Sequence, residues 1–309
     1  MPDYELSGKT VLVTGGAGFI GSHIVDAVVD RNDVRVLDSL STGSRDRLPA
    51  DVRLIEGDVR DRETVDTAME GVDIVFHEAA MVSVPESVDR PRDCHEINGT
   101  STVDILEAAR ANDSRVVFAS SAAIYGHPDG VPIPESAPKR PASPYGLEKL
   151  TSDYYTRIYA ERYGLETVSL RYFNAYGPGQ TGGQYSGVIS AFLDQARAGE
   201  PITVEGDGEQ TRDFVHVDDI VQANLRAATT DATGTSYNIG TGSNITIREL
   251  AETVQRVTDT DSEIVHVDPR PGDIERSEAD ISKASEQLGY RPTVTLEDGL
   301  SQLVDSRQS

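Results

Sequence analysis

The chain has one cysteine, only four lysines, and no long uninterrupted apolar run. A single thiol, Cys94, excludes an internal disulfide and suits a reducing cytoplasm. A membrane-spanning helix needs roughly eighteen or more apolar residues in a row, and none is present. The segment from Met1 to Gly8 is acidic and polar, unlike a signal peptide. Six histidines (23, 77, 95, 127, 216 and 266) lack the spacing of a metal site, so no metal is expected. Basic residues are outnumbered, 28 against 52 acids, which leaves a net charge of −24. Such a surface repels nucleic acid and anionic lipid, so neither is expected as a partner. The acids are spread along the chain rather than gathered in a tail. Dispersed acid with little lysine resembles proteins of salt-loving archaea. At molar salt the Debye length falls to about 3 Å, so the self-repulsion is screened. The composition therefore predicts a fold that needs high salt.

What is present is regular alternation. Thr10–Thr14, Val34–Asp38, Val52–Ile55, Asp73–Phe76 and Val116–Ala119 read as short apolar strands, and Leu165–Arg171 as a sixth. Helical stretches lie between them, among them Ile20–Val29, Ser101–Ala111 and a long one from Pro144 to Tyr163. Strand, helix, strand at this spacing predicts an α/β fold with a parallel sheet covered on both faces. After Tyr176 the texture changes. Gly177–Gly183 is glycine-rich, and helices near Val188–Ala198, Val217–Ala228 and Ile247–Val257 follow, with a turn at Pro269–Gly272. These suggest a smaller α/β lobe interleaved with the first. The expected division is 1–175 plus about 213–240 for the large unit, and 176–212 plus 241–309 for the small one.

The first strand ends in Thr14-Gly-Gly-Ala-Gly-Phe-Ile-Gly21. Glycines at this spacing permit a tight turn and let backbone approach a pyrophosphate, which then sits at a helix N-terminus. The motif is weak alone, but here it follows a strand and opens a helix. Asp38 ends the second strand, twenty positions after Gly18. A carboxylate there accepts hydrogen bonds from a ribose diol and repels a 2′-phosphate, so NAD is favoured over NADP. This is the pattern of a Rossmann-type doubly wound sheet. Asp58, where the third strand ends, is placed to meet the adenine amino group.

Tyr145 and Lys149 are four residues apart, and on a helix they share a face. A free phenol titrates near pH 10, too high for a base, and a nearby ammonium is expected to lower that value. Lys149 would do this while holding the nicotinamide ribose. Ser120 and Ser121 end the fifth strand and offer a hydroxyl to the reacting oxygen. Alone, the spacing equally suits a packed tyrosine beside a surface lysine. After the glycine loop and Asp38, a general base beside a hydride acceptor is the better reading.

With His77-Glu-Ala-Ala80, Ser120–Gly126, Arg171-Tyr-Phe-Asn-Ala-Tyr-Gly-Pro178, Gly206–Asp213 and Arg270-Pro-Gly-Asp273, the chain resembles the extended short-chain dehydrogenase/reductase family over nearly its whole length. It is most similar to the UDP-glucose 4-epimerases. The resemblance implies that Tyr145 takes the proton of the sugar 4-hydroxyl with help from Ser121. A hydride leaves C4 for tightly held NAD and returns to the other face of a 4-keto sugar. Catalytic residues are then Ser121, Tyr145 and Lys149. Implied cofactor contacts are Gly15, Gly18, Phe19, Ile20, Gly21, Asp38, Ser39, Ser41, Thr42, Gly43, Asp58, Val59, His77, Ala79, Ala80 and Phe173, besides Tyr145 and Lys149. Implied nucleotide-sugar contacts are Ser83, Ser121, Asn174, Val188, Thr203, Arg212, Arg270, Asp273 and Ser277. Arginine suits phosphate because its guanidinium donates two hydrogen bonds at once. A homodimer through the long helix, with Leu150, Tyr154 and Ile158 recurring at helical spacing, is implied as well.

Related dehydratases and decarboxylases carry acids just after the fifth strand, where this chain has Ala122 and Ala123. That favours epimerisation over those two alternatives. A non-catalytic NAD-binding protein on the same fold would need the glycines but not Tyr145 and Lys149. Three positions depart from the family pattern. Glu96 replaces an asparagine near the cofactor, with Asn98 two residues on; Glu205 replaces an aromatic that stacks on the base; Ser277 replaces a bulky tyrosine. The small Ser277 leaves room for an N-acetyl group, so UDP-N-acetylglucosamine is an expected substrate beside UDP-glucose and UDP-galactose.

Overall fold

The structure is a computed structural model and describes residues 6–180, 187–269 and 272–306. Arg270, an expected substrate contact, lies outside the described residues. Strands β1 (Thr10–Thr14), β2 (Asp33–Asp38), β3 (Arg53–Glu56), β4 (Ile74–His77), β5 (Arg115–Ser121), β6 (Thr167–Tyr172) and β11 (Thr235–Ile239) form one parallel sheet. Its order is β3-β2-β1-β4-β5-β6-β11. Every residue of β4 and of β6 is buried, as a strand with both faces covered requires.

Helices α1 (Phe19–Val28) and α8 (Val217–Thr229) pack together beside the sheet, and α2 (Arg62–Met69), α5 (Ser101–Asn112) and α6 (Pro144–Tyr163) pack against one another elsewhere. The two resulting apolar clusters meet different faces: Val11, Val13 and Ile24 belong to one, Leu12, Val75 and Leu106 to the other. This is the expected doubly wound, Rossmann-type fold. The strand order reverses between β1 and β4, and ligands of such sheets bind in the crevice at that switch point.

Short α3 (Val84–Asp89), α4 (Pro91–Cys94) and a π-helical turn at His95–Thr100 join β4 to α5. The sequence period showed none of these three. After β6 the chain builds the small lobe. It contains β7 (Asn174–Tyr176), α7 (Val188–Ala198), β8 (Ile202–Glu205), β9 (Thr211–Arg212) and β10 (Phe214–His216). It is completed by β12 (Ile245–Thr246), α9 (Ile247–Thr258), β13 (Ile264–Val267) and α11 (Leu296–Ser306). Its own core joins Phe192, Leu193, Leu250, Val254 and Leu300.

Near the end of the chain one short helix leaves the small-lobe core. Helix α10 (Ser282–Gln287) returns to the large sheet, where Ala284, Leu288 and Tyr290 enter the core beside Tyr237 and Ile239. Strand β11 went unrecognised because Thr235-Ser-Tyr-Asn-Ile239 is half polar. Those polar side chains are buried and bonded inside: Ser236 donates to Asp153 Oδ1, and Asn238 Nδ2 to the Ile133 carbonyl.

Candidate active site

The glycine loop at the end of β1 is held from below. Asp38 Oδ2 accepts from the Ala17 amide at 2.9 Å, and Oδ1 from the Leu40 amide at 2.8 Å. The carboxylate therefore shapes the loop before any ribose arrives, a task the sequence spacing did not reveal. Each oxygen keeps a lone pair for a diol. Gly15 has φ +68°, and a Cβ there would lie 2.7 Å from the Ala79 nitrogen. A Cβ on Gly21 would overlap the Gly15 carbonyl. Both positions thus need glycine, one for conformation and contact, the other for contact alone.

Helix α1 starts with Phe19 and Ile20 after Gly18, with no side-chain cap and no acid in its first turn. An uncapped N-terminus of this kind presents N–H groups and a partial positive charge to a phosphate. The residues present therefore fit a dinucleotide pyrophosphate. Ser39, Ser41, Thr42 and Gly43 form the adjoining loop; Ser39 donates to Ser41 at 3.1 Å, and the Ser44 amide bonds the Ala17 carbonyl at 3.0 Å.

Other expected cofactor contacts sit differently. The His77 ring is fully enclosed between Thr14 Oγ1 (2.7 Å) and Thr102 Oγ1 (3.1 Å). Its side chain ties β4 to β1 and α5 rather than facing the crevice. Burial pushes its pKa down to about 3, with the Lys149 charge adding to the effect. Ala79 and Ala80 follow β4 against the glycine loop, and the Ala79 amide donates to Thr14 Oγ1 at 3.3 Å. Val59 is buried in the core, and Phe173 packs with Ile124, Tyr125 and Leu150. Asp58 is clamped by Arg60 at 2.6 Å, which holds its carboxyl below the usual range despite partial burial. Glu96 turns outward to Arg92 (3.0 Å) and Arg60 (3.9 Å). Asn98 points inward instead, clasping Met81 through its backbone N–H (2.8 Å) and carbonyl (2.9 Å).

The side chains expected to react converge at the carboxyl ends of β5 and β6. Helix α6 begins where expected: Ser143 caps it by accepting from the Gly146 amide, Pro144 occupies the first turn, and Gly164 ends it at φ 71°. That start places Tyr145 near Ser121, whose hydroxyl favours the ionised phenol. Ser121 Oγ also accepts from the Ala123 amide at 3.1 Å, capping the 3₁₀ turn Ala122–Tyr125. One turn along α6, the buried Lys149 ammonium donates to the Ala119 carbonyl at 2.7 Å and lies 5.1 Å from the Phe118 ring.

The electrostatics depart from the simple expectation. Burial raises the Tyr145 pKa; the Ser121 bond opposes this, and nearby Cys94 and Glu78 add to it. Lys149 is itself lowered by burial, which the negative charge of Glu78 resists. The net direction for the phenol is upward, with burial as the largest cause.

The expected substrate contacts have partners of their own. Ser83 caps α3 by accepting from the Glu86 amide at 3.1 Å. Asn174 Nδ2 donates to the Asp213 carbonyl at 3.0 Å. Val188 opens α7 against the lobe core, and Thr203 is bonded to Gln195 at 2.7 Å. Arg212 donates to Asp273 at 2.5 Å and to the Ile274 carbonyl at 2.6 Å, so the two predicted residues are already partners. Ser277 is buried a few residues further along the same segment.

Three carboxyls, Asp153 and Asp213 buried and Glu78 half-buried, escaped the sequence reading because their partners are distant. Asp153 takes Arg171 Nε and Nη2, Ser120 and Ser236, each at 2.9–3.0 Å. Asp213 accepts the amides of Thr241, Gly242 and Ala279. Glu78 accepts from Tyr172 at 2.9 Å. Only the motifs that contain Glu78 and Asp213 gave a signal, with no indication of their roles, and Asp153 lies in no motif.

A phosphate-ready glycine loop at the switch point and a Ser–Tyr–Lys cluster at the strand ends define a dinucleotide-dependent enzyme of the short-chain dehydrogenase/reductase type. Residues 11–240 match the model of the NAD dependent epimerase/dehydratase family, and the chain belongs to that family. A putative UDP-glucose 4-epimerase of Methanocaldococcus jannaschii is 40% identical over 299 residues, covering 96% of this chain and 97% of that protein. A UDP-N-acetylglucosamine 4-epimerase of Methanobrevibacter ruminantium, solved with UDP-N-acetylmuramic acid, superposes with TM-score 0.95 at 37% identity, covering 98% and 99% of the two chains. A UDP-glucose 4-epimerase of Thermus thermophilus, solved with NAD, gives TM-score 0.89 at 39% identity over 97% of this chain and 99% of that one. Among the described residues no helix is long and apolar enough to cross a membrane, and no cluster could hold a metal ion.

Proposed function

We propose that this enzyme inverts C4 of a UDP-linked hexose through a transient 4-keto sugar. The observation that carries the reading is the meeting of Ser121, Tyr145 and Lys149 immediately before a turn that offers only Ala122 and Ala123. Reversible oxidation at one carbon needs one proton carrier and one hydride carrier. Elimination or decarboxylation needs a further acid or base, which two alanines cannot supply. NAD, when bound, supplies the hydride acceptor and returns the same hydride. Tyr145 takes the 4-hydroxyl proton, Ser121 bonds the same oxygen, and Lys149 keeps positive charge under both. Asn174, Arg212 and Asp273 hold the nucleotide diphosphate and its ribose, with Arg270 as a further expected contact.

Ser277 leaves room beside the sugar, so UDP-N-acetylglucosamine is a substrate as well as UDP-glucose and UDP-galactose. Two copies pair through α6 and α3. Leu147, Tyr154 and Ile158 are 50%, 42% and 44% exposed, and Val84 and Val88 of α3 extend the same apolar surface. Leu150, expected on that face, instead packs inside with Phe173. The enzyme works in the cytoplasm, where its single buried thiol stays reduced.

The test incubates the purified protein with each UDP-sugar and analyses the products. Interconversion of gluco and galacto forms without net NADH is expected, and loss of water or carbon dioxide would refute the reading. Ser277→Tyr should abolish turnover of the acetylated sugar alone; equal loss on both would refute the role of Ser277.

A further inference from the structure

We propose that Glu78 is a positioning residue of the catalytic centre, a carboxylate fixed at the strand ends beside the carbonyl that anchors Lys149 and acting through Lys149 and Tyr145. The inference rests on the reading of those two residues as the reacting pair.

The geometry comes first. Strands β4 and β5 pair with His77 opposite Phe118, so Glu78 follows β4 beside Ala119. Ala119 is the residue whose carbonyl holds the Lys149 ammonium. From there the Glu78 carboxylate reaches across β5 to β6. Its Oε1 accepts from the Tyr172 hydroxyl at 2.9 Å, and that oxygen accepts from Asn224 Nδ2 of α8 at 2.8 Å. Tyr172 stands opposite Ser121 in the β5–β6 register. The carboxylate is thus fixed beneath the ends of three strands by a chain of two hydrogen bonds. An acid held this firmly, partly open to the cleft, is expensive to keep unless it is paired or protonated.

The charges around it complete the argument. From α6, Glu78 feels Lys149 and Tyr145; from β6, it feels Tyr172. Lys149 also faces Cys94 of α4 and His77 below it, and Cys94 in turn faces Glu148 and Glu86. Burial pushes the Glu78 pKa up, toward neutrality, while Tyr172 and Lys149 resist. An ionised Glu78 stabilises the ammonium but opposes the phenolate. A proton on Glu78 does the reverse. The same carboxyl therefore shifts both partners in one direction, and neutralising it should lower both titrations.

Glu78→Gln keeps an acceptor for Tyr172 and removes the charge. With only four lysines in the chain, lysine side-chain carbon resonances resolve well, and Lys149→Arg assigns the signal. In Glu78→Gln the Lys149 midpoint should fall by roughly half to one pH unit, with the other three lysines unmoved. The acid limb of the kcat/KM profile should move to lower pH by a similar amount. Should Glu78→Gln fail to fold, Tyr172→Phe serves: it removes a bond that favours ionised Glu78, so the Lys149 midpoint should fall by a smaller step. An unchanged Lys149 midpoint in the folded variant overturns the proposal. The titration needs no substrate. A shifted Lys149 in a protein without epimerase activity would therefore refute the proposed reaction and leave this inference standing.

Discussion

His77 shows how a residue of a ligand-binding motif can serve mainly to hold strands. Its ring is enclosed between Thr14 and Thr102, and its folded pKa lies near 3 against an ordinary 6.5. The unfolded chain therefore takes up this proton first as pH falls below 6.5. Stability is unaffected above that value and is lost as pH drops through the window, by about 1.4 kcal/mol per unit for one such proton. Denaturant unfolding between pH 7 and 4.5 should show this slope, and His77→Gln should flatten it by one proton; an identical slope in both proteins would contradict the assignment. At this scale the sequence was legible where chemistry is local. Gly15, Gly18 and Gly21, Asp38, and the Tyr145–Lys149 pair all lie within short spacings that a strand or helix converts directly into geometry. Glu78 and Tyr172 are 94 residues apart and meet only through sheet register. Asp153 and Asp213 are equally invisible, since their partners come from other strands and loops.

Helix α6 carries three tasks on three faces. Its first two turns present Tyr145 and Lys149 to the strand ends. An inner face sets Asp153 against Arg171, a pair with no exposed surface, whose disruption typically costs about 3–5 kcal/mol. The third face is apolar and open at Leu147, Tyr154 and Ile158. Ile158→Asp puts a charge in the middle of that face. A twofold drop in mass by light scattering, with the melting profile little changed, is the expected result; an unchanged mass would count against pairing through α6. The start of this helix was readable from Pro144, whereas its faces were not. Leu150 and Ile158 look alike in the sequence, and only the packing of Phe173 against one of them tells them apart. The turn at His95–Thr100 was missed for a related reason, because a π-helical segment keeps the composition of a helix while changing its period.

For the whole molecule, charge dominates. A net −24 on a chain of 309 residues is unfavourable in dilute buffer, and surface pairs such as Arg62–Asp66 offset little of it. Screening at molar salt shortens the range of repulsion to about 3 Å. The melting temperature should rise by several degrees between dilute buffer and molar KCl; a temperature that does not fall when KCl is removed would contradict this.

The doubly wound sheet brings the glycine loop of β1, Ser121 of β5 and Tyr145 of α6 to the carboxyl ends of its strands, and that convergence is what the proposed reversible oxidation at a single carbon requires. The most direct test uses UDP-glucose carrying deuterium at C4, turned over in ordinary water. Hydride removal and return within one closed site predicts UDP-galactose that keeps the deuterium at C4. Replacement of the label by solvent hydrogen, or a product that has lost water, would contradict it.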